Sequence, residues 1–251
     1  MARSRQNTVP LDENFFVDGI EAPVRMKRNS RARRFILRIN ESRREVNLTI
    51  PEQSSEKAAL DFLNRNHEWV KSRLEKLPAC TPFQEGAVIP LRGISYQIHF
   101  VEKNSDNRIV RVYRSFVADE MPKLFVAGLK DHAPRRLKDW LKKQARIDLK
   151  KQVDYHAARL ALTPKRLTVR DQKSRWGSCS STGALAFSWR LILAPEKVLD
   201  YVAAHEVAHL QEMNHGPDFW KLVKRTMPDY ERAQEWLREH GAGLHRYGTD
   251  L

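Results

Sequence analysis

The sequence predicts an α+β protein, with a β-rich N-terminal region and a C-terminal domain in which one apolar helix meets a small sheet. Three observations carry this. Phe35–Pro51 (FILRINESRREVNLTIP) alternates apolar and polar residues on both sides of a polar turn, which is hairpin patterning. Arg135–Leu160 sustains a helical period. Tyr201–Leu210 is apolar apart from His205, Glu206 and His209, as expected of a buried helix.

Taken in order, residues 1–24 are expected to form an N-terminal extension, 25–130 a β-rich region with one helix, and 131–251 a separate domain. After the hairpin, Ser54 and Ser55 are placed to cap a helix through Leu77, with Leu60, Leu63, His67, Val70 and Leu74 at helical spacing. Pro78 and Pro82 end it. Short alternating stretches follow at Val88–Val101, Ile109–Phe116 and Lys123–Val126. A long helix spans about Pro134 to Leu160. Leu167–Asp171 reads as a strand, and Ala184–Ala194 as a second one joined through Ser180–Gly183. Pro195 opens the next helix, at a position where its missing N–H is harmless.

The chain has 251 residues with 41% hydrophobic and 30% charged side chains, which permits a packed core. No stretch approaches the run of about 20 apolar residues that spans a bilayer, so no membrane partner is expected. Cys80 and Cys179 make no disulfide framework and point to a reducing, cytoplasmic setting. The net charge of +14 suits phosphate-bearing partners. Arg25–Arg34 holds six cations and no acid, and Arg135–Lys151 eight cations against two acids. These clusters are either solvated faces or docking surfaces for a nucleotide or nucleic acid.

The segment His205–His215 (HEVAHLQEMNH) concentrates the chemistry. Residues four apart share a helix face, so His205 and His209 converge on one point. Glu206 lies about 100° around the helix, beside that point. Two imidazoles with an adjacent carboxylate is the HExxH pattern of zinc hydrolases. The helix is expected to break after Met213, because Asn214, Gly216 and Pro217 are turn formers. His215 lies in that break and supplies a third imidazole, with Glu231 or Glu235 as the alternative. Three protein ligands with one open position define a catalytic site rather than a structural one. Cys179 as a fourth ligand would close it. Arg175, Arg190 and Tyr230 are candidates to neutralise a developing oxyanion. Trp176 and Gly177 are either core and turn residues or contacts for substrate. Phe219 and Trp220 are expected to hold His215 in place.

The stretch from Arg175 to Tyr230 resembles the YgjP-like (DUF45) metallopeptidases, relatives of the SprT-like and M48 zinc peptidases. The matching elements are Arg175–Cys179 (RWGSC), Ser188–Trp189, Tyr201–Val202, the HExxH, Asn214–His215, Phe219–Trp220 and Met227–Pro228. The resemblance extends upstream to RARRFILRI, leaving residues before about Arg25 outside it. It implies a zincin-like catalytic domain with Zn2+ on His205, His209 and His215, and Glu206 as general base. Arg175, Trp176 and Gly177 would then contact substrate. The expected activity is zinc-dependent peptide hydrolysis, with the strand Ala184–Ala194 pairing with an extended substrate. Relatives also suggest nucleoside triphosphate (UTP-type) pyrophosphohydrolysis, for which no glycine-rich phosphate loop is present, or an SprT-like protease associated with nucleic acid.

Overall fold

A computed structural model describes residues 14–41, 44–77, 79–102 and 112–249. Eleven strands and six α-helices are found among the described residues, a mixed α and β architecture. The chain divides into two compact units, 1–79 and 80–251. The strands of 88–127 therefore group with the histidine-bearing helices and not with residues 25–79.

In the first unit, β1 (Asn14–Val17), β2 (Ile20–Asn29), β3 (Ile36–Asn40) and β4 (Glu45–Pro51) form one sheet in the order β1-β2-β4-β3. Residues 14–24 thus build β1 and half of β2, where an extension was expected. The hairpin is β3 against β4. Two helices, α1 (Glu56–Arg65) and α2 (His67–Glu75), cover the sheet's buried face through Ala59, Leu63, Val70 and Leu74. Ser55 caps α1, its hydroxyl accepting from the Ala58 amide. The single helix expected through Leu77 is broken at Asn66. Its side-chain amide donates to the Phe62 carbonyl at 2.7 Å, and such local bonding competes with the helical ladder. Of the first basic cluster, Arg28 is tied to the carbonyls of Glu52 and Ser54.

The second unit begins with β5 (Val88–Leu91), β6 (Ile94–Val101), β7 (Val112–Ser115) and β8 (Lys123–Ala127), ordered β5-β6-β8-β7. The start of the strand expected from Ile109 lies outside the described residues. The long helix α3 (Ala133–Leu160) buries Leu137, Leu141, Ala145, Leu149 and Val153, one residue per turn. It stops where Ala161 turns left-handed and Leu162 bonds back to the Ala157 carbonyl, a C-terminal motif that satisfies otherwise orphaned carbonyls. Much of the second basic cluster lies on the opposite, solvent side: Arg135, Lys143, Arg146 and Lys150 are exposed.

A second sheet follows, from β9 (Arg166–Arg170), β10 (Gly177–Cys179) and β11 (Ala184–Ser188) in the order β10-β11-β9. Two expectations are corrected here. Ser180–Gly183 joins β10 to β11, so RWGSC contributes a strand of its own. The strand expected over Ala184–Ala194 ends at Ser188 and becomes a 3-10 turn, Trp189–Leu193, all five residues of which are buried. A mostly apolar run, broken only by Ser188 and Arg190, has no clear period to separate the two conformations. Being central, β11 is hydrogen-bonded to β10 on one side and β9 on the other. It therefore has no edge to offer a substrate. Among the described residues β10 pairs only with β11, leaving its outer edge open.

The helices α4 (Glu196–Ala208), α5 (Pro217–Thr226) and α6 (Tyr230–His240) complete the unit, followed by a 3-10 turn at Gly241–Arg246. Helix α4 begins at Glu196, with Pro195 as its N-cap, and ends at Ala208 instead of Met213.

Candidate metal centre

From Tyr201 to Ala208 α4 is buried except for the half-buried His205, so whatever polar groups it carries there must find partners inside the protein. His205 and His209 lie one turn apart on it, His209 as its C-cap. The chain then turns, with the Glu212 amide bonding back to the Ala208 carbonyl, and returns His215 just ahead of Gly216, the N-cap of α5. The Nε2 atom of His205 lies 3.2 Å from that of His209 and 3.0 Å from that of His215. Ligand atoms of the three all fall within 4.8 Å of one another, a grouping found once among the described residues. Neither Glu231 nor Glu235 joins it, and Glu235 is instead bonded to Arg238.

The donor set fits a transition metal. Bonds of about 2.05 Å in a tetrahedral zinc site put neighbouring ligands about 3.3 Å apart, close to the separations seen here. His209 Nδ1 donates to the Glu212 carbonyl at 2.9 Å. A carbonyl only accepts, so the neutral ring carries its proton on Nδ1 and turns a bare Nε2 lone pair inward. His205 Nδ1 lies 3.5 Å from the Tyr201 hydroxyl. Behind the three imidazoles sits Phe219, wholly buried, with ring centroids 4.9, 4.5 and 4.8 Å from His205, His209 and His215. Burial, reinforced by His209 and His215, drives the His205 pKa down to about 3. Burial also lowers that of His209, against the Glu212 carbonyl bond. Both rings therefore stay neutral at pH 7, as metal ligation requires.

Glu206 points away from its helix toward β10. A Cβ at Gly177 would lie 2.5 Å from Glu206 Oε1 and 2.6 Å from its Cγ, so the close approach that Gly177 permits is that of this side chain. Glu206 is buried, and its Oε2 has no hydrogen-bond partner. Burial pushes its pKa up to about 8, opposed by the charge of Arg175. Cys179, two residues along the same strand, has its thiol pKa raised by burial and by Glu206.

The remaining candidates separate clearly. Arg175 is exposed at the entrance to β10. Trp176 is half-buried, its indole 4.9 Å from the ring of His245. Arg190 does not face the histidines: it is 1% exposed, bonded to Asp171 at 2.9 Å and to the Tyr247 carbonyl at 2.6 Å. Tyr230 stacks between Trp220 at 5.2 Å and Tyr201 at 6.2 Å. Tyr201, matched in the family resemblance, is the neighbour to which the sequence assigned no role at the site. Its spacing of four from His205 was the available signal.

A family description, the YgjP-like metallopeptidase domain, matches residues 33–240. The chain belongs to the YgjP-like metallopeptidase family. As a member it is a metal-dependent hydrolase of peptide or protein substrates, and the family implies a metal that the three histidines are able to hold. One solved structure with a detectable likeness is the metallopeptidase zymogen abylysin of Pyrococcus abyssi, 22% identical, with 40% of this chain and 99% of that one covered and a TM-score of 0.34. No curated protein matches. No described helix of this YgjP-like protein is long and apolar enough to cross a membrane.

Proposed function

We propose that this protein is a zinc-dependent peptidase with a zincin-like site, akin to the M48 and SprT-like enzymes, in which His205, His209 and His215 hold the metal and Glu206 is the general base. The observation that carries this reading is the buried Glu206 carboxylate, unpartnered at Oε2, beside three converging imidazole nitrogens. Bound there, zinc would serve as a Lewis acid that polarises the scissile carbonyl and lowers the pKa of water to near 7. Glu206 takes the proton of the attacking water and delivers it to the leaving nitrogen. Burial pushes its pKa up in the metal-free protein, and a bound dication would draw it back toward the range in which a general base is ionised at neutral pH. An extended substrate is proposed to pair with the open edge of β10, whose inner face already touches Glu206. With Arg190 committed elsewhere, Tyr230 and Arg175 are the proposed oxyanion donors. The free state of Cys80 and Cys179 fits the cytoplasm.

The test is turnover of unstructured peptides by zinc-loaded protein and by Glu206→Gln. The variant should keep its zinc and lose about 10²- to 10⁴-fold in kcat, the usual worth of a positioned acid–base group. Peptide turnover that survives the substitution would remove Glu206 from the mechanism. Pyrophosphate release from UTP without peptide cleavage would move the assignment to nucleotide hydrolysis.

A further inference from the structure

Residues 241–249 follow the part of the chain that matches the family, yet they are built into the rim of the site. Their anchor is Arg190. Its Nη1 donates to the carbonyls of Leu244, His245 and Tyr247 at 3.3, 3.3 and 2.6 Å, while Nε and Nη2 bind Asp171. Thr81 clamps the far end, its amide donating to the Arg246 carbonyl and its carbonyl accepting from the Gly248 amide, both at 2.9 Å. Leu244 and His245 are consequently buried.

The segment meets the strand of the site at Trp176. His245 lies against the indole at 4.9 Å. Gly241 packs so closely on it that an added Cβ would stand 3.2 Å from Trp176 Nε1. The Trp176 carbonyl accepts from the Ser188 amide at 2.8 Å, and the next residue is Gly177, already in contact with Glu206. A shift of the indole therefore moves the strand that borders the reacting carboxylate, at the residue where only a glycine leaves room for Glu206.

We propose that residues 241–249 form a brace, anchored by Arg190, which sets the position of the β10 edge through His245 and Trp176, making Trp176 a positioning residue for peptide binding rather than a surface on which substrate rests. This rests on β10 being the substrate edge. Burial lowers the His245 pKa to about 4 and its Nδ1 has no partner, so the ring acts as a neutral plate leaning on the indole at 31°. Phenylalanine can replace such a plate.

The experiment compares zinc-loaded wild type, His245→Ala, His245→Phe and Gly241→Ala. It reads peptide KM and kcat, zinc affinity, and hydrogen exchange of the segment 172–180. Loss of the plate in His245→Ala should raise KM about tenfold, because small misplacements of a binding edge are costly. It should leave kcat and zinc affinity within about twofold and speed exchange in 172–180. His245→Phe should restore all of these. Gly241→Ala, which presses on the indole without opening a cavity, should raise KM in the same sense. An unmoved KM, equal losses in zinc affinity and KM, or failure of phenylalanine to rescue would overturn the brace. A wild type that binds zinc and cleaves no peptide would instead strike at the peptidase reading, with the exchange data still deciding whether the segment holds β10.

Discussion

Two buried polar clusters in the second unit make opposite use of their hydrogen-bonding groups. Around Arg190, every guanidinium nitrogen has an acceptor: Asp171 for Nε and Nη2, three main-chain carbonyls for Nη1. Burial alone would raise the pKa of Asp171, but the Arg190 bond and charge, with help from Lys138, bring it below the ordinary carboxylate value. Around His205 the polar atoms are left over. Three nitrogens crowd together, and Glu206 Oε2 bonds to nothing. A cluster that serves the fold closes on itself, because an orphaned buried group costs about 1–3 kcal/mol. A cluster that serves chemistry keeps that cost until a ligand arrives.

Substitutions can sharpen this contrast. The largest effect is expected for His205→Ala, read as zinc affinity by competition with a chelator. A loss beyond about 100-fold is expected, since even outer partners of a metal are worth 10- to 100-fold. The metal-free stability of the same variant should fall by only about 1–2 kcal/mol, because the ring gives up its packing on Phe219 and a long contact to Tyr201 but no strong hydrogen-bond network. A large destabilisation without metal would make His205 a structural residue and erase the contrast.

Arg190→Met should behave the other way. It strands Asp171 and three carbonyls, so unfolding in denaturant should show a loss of about 3–5 kcal/mol, with intrinsic zinc affinity of the folded fraction unchanged. A mild variant would mean that the ion pair is dispensable.

Between these lies Gly177→Ala. The new methyl group meets Glu206 at 2.5 Å, and relief of such a clash costs about 1–3 kcal/mol. A lower kcat with full zinc content is expected, as the base is pushed from its place. Unchanged kcat would show that Glu206 has room to spare.

The smallest effect concerns pH. In metal-free protein Glu206 has its pKa raised from 4.5 to about 8. The folded state thus holds a proton that the unfolded state releases, so this contribution is complete below pH 4.5 and disappears as pH rises through about 8. The shift at His205 is downward, from 6.5 to about 3. Its contribution is complete above pH 6.5 and is lost on acidification through about pH 3. Between pH 6.5 and 8 the Glu206 trend remains, on the order of 1–2 kcal/mol, and Glu206→Gln should abolish it. Parallel stability curves for the two proteins would contradict the burial of this carboxyl.

The division between the clusters also marks what was legible in the sequence. Spacing of four on an apolar helix singles out His205, Glu206 and His209, and the turn formers around His215 bring it back toward them. All of that is local. The role of Arg190 is set by carbonyls 54 to 57 residues further along, and nothing in its neighbourhood distinguishes it from a surface cation. The end of β11 at Ser188 was hidden for a related reason, since Trp189–Leu193 is apolar apart from Arg190 and only its surroundings make it turn. The open edge of β10 follows from strand order, which is likewise a property of the whole unit. Helix α3 was readable along its entire length, because its buried residues recur every four positions and its start carries Pro134.

The early end of α4 carries an electrostatic consequence. Each peptide in a helix adds to a macrodipole that places roughly half a negative charge at the carboxyl-terminal end. By stopping at Ala208, with His209 as its cap, α4 directs that end at the imidazole cluster, where five further residues of helix would have carried it past. A dication gripped by these rings would thus gain attraction from main-chain carbonyls that never ligate it, and a neutral guest would not.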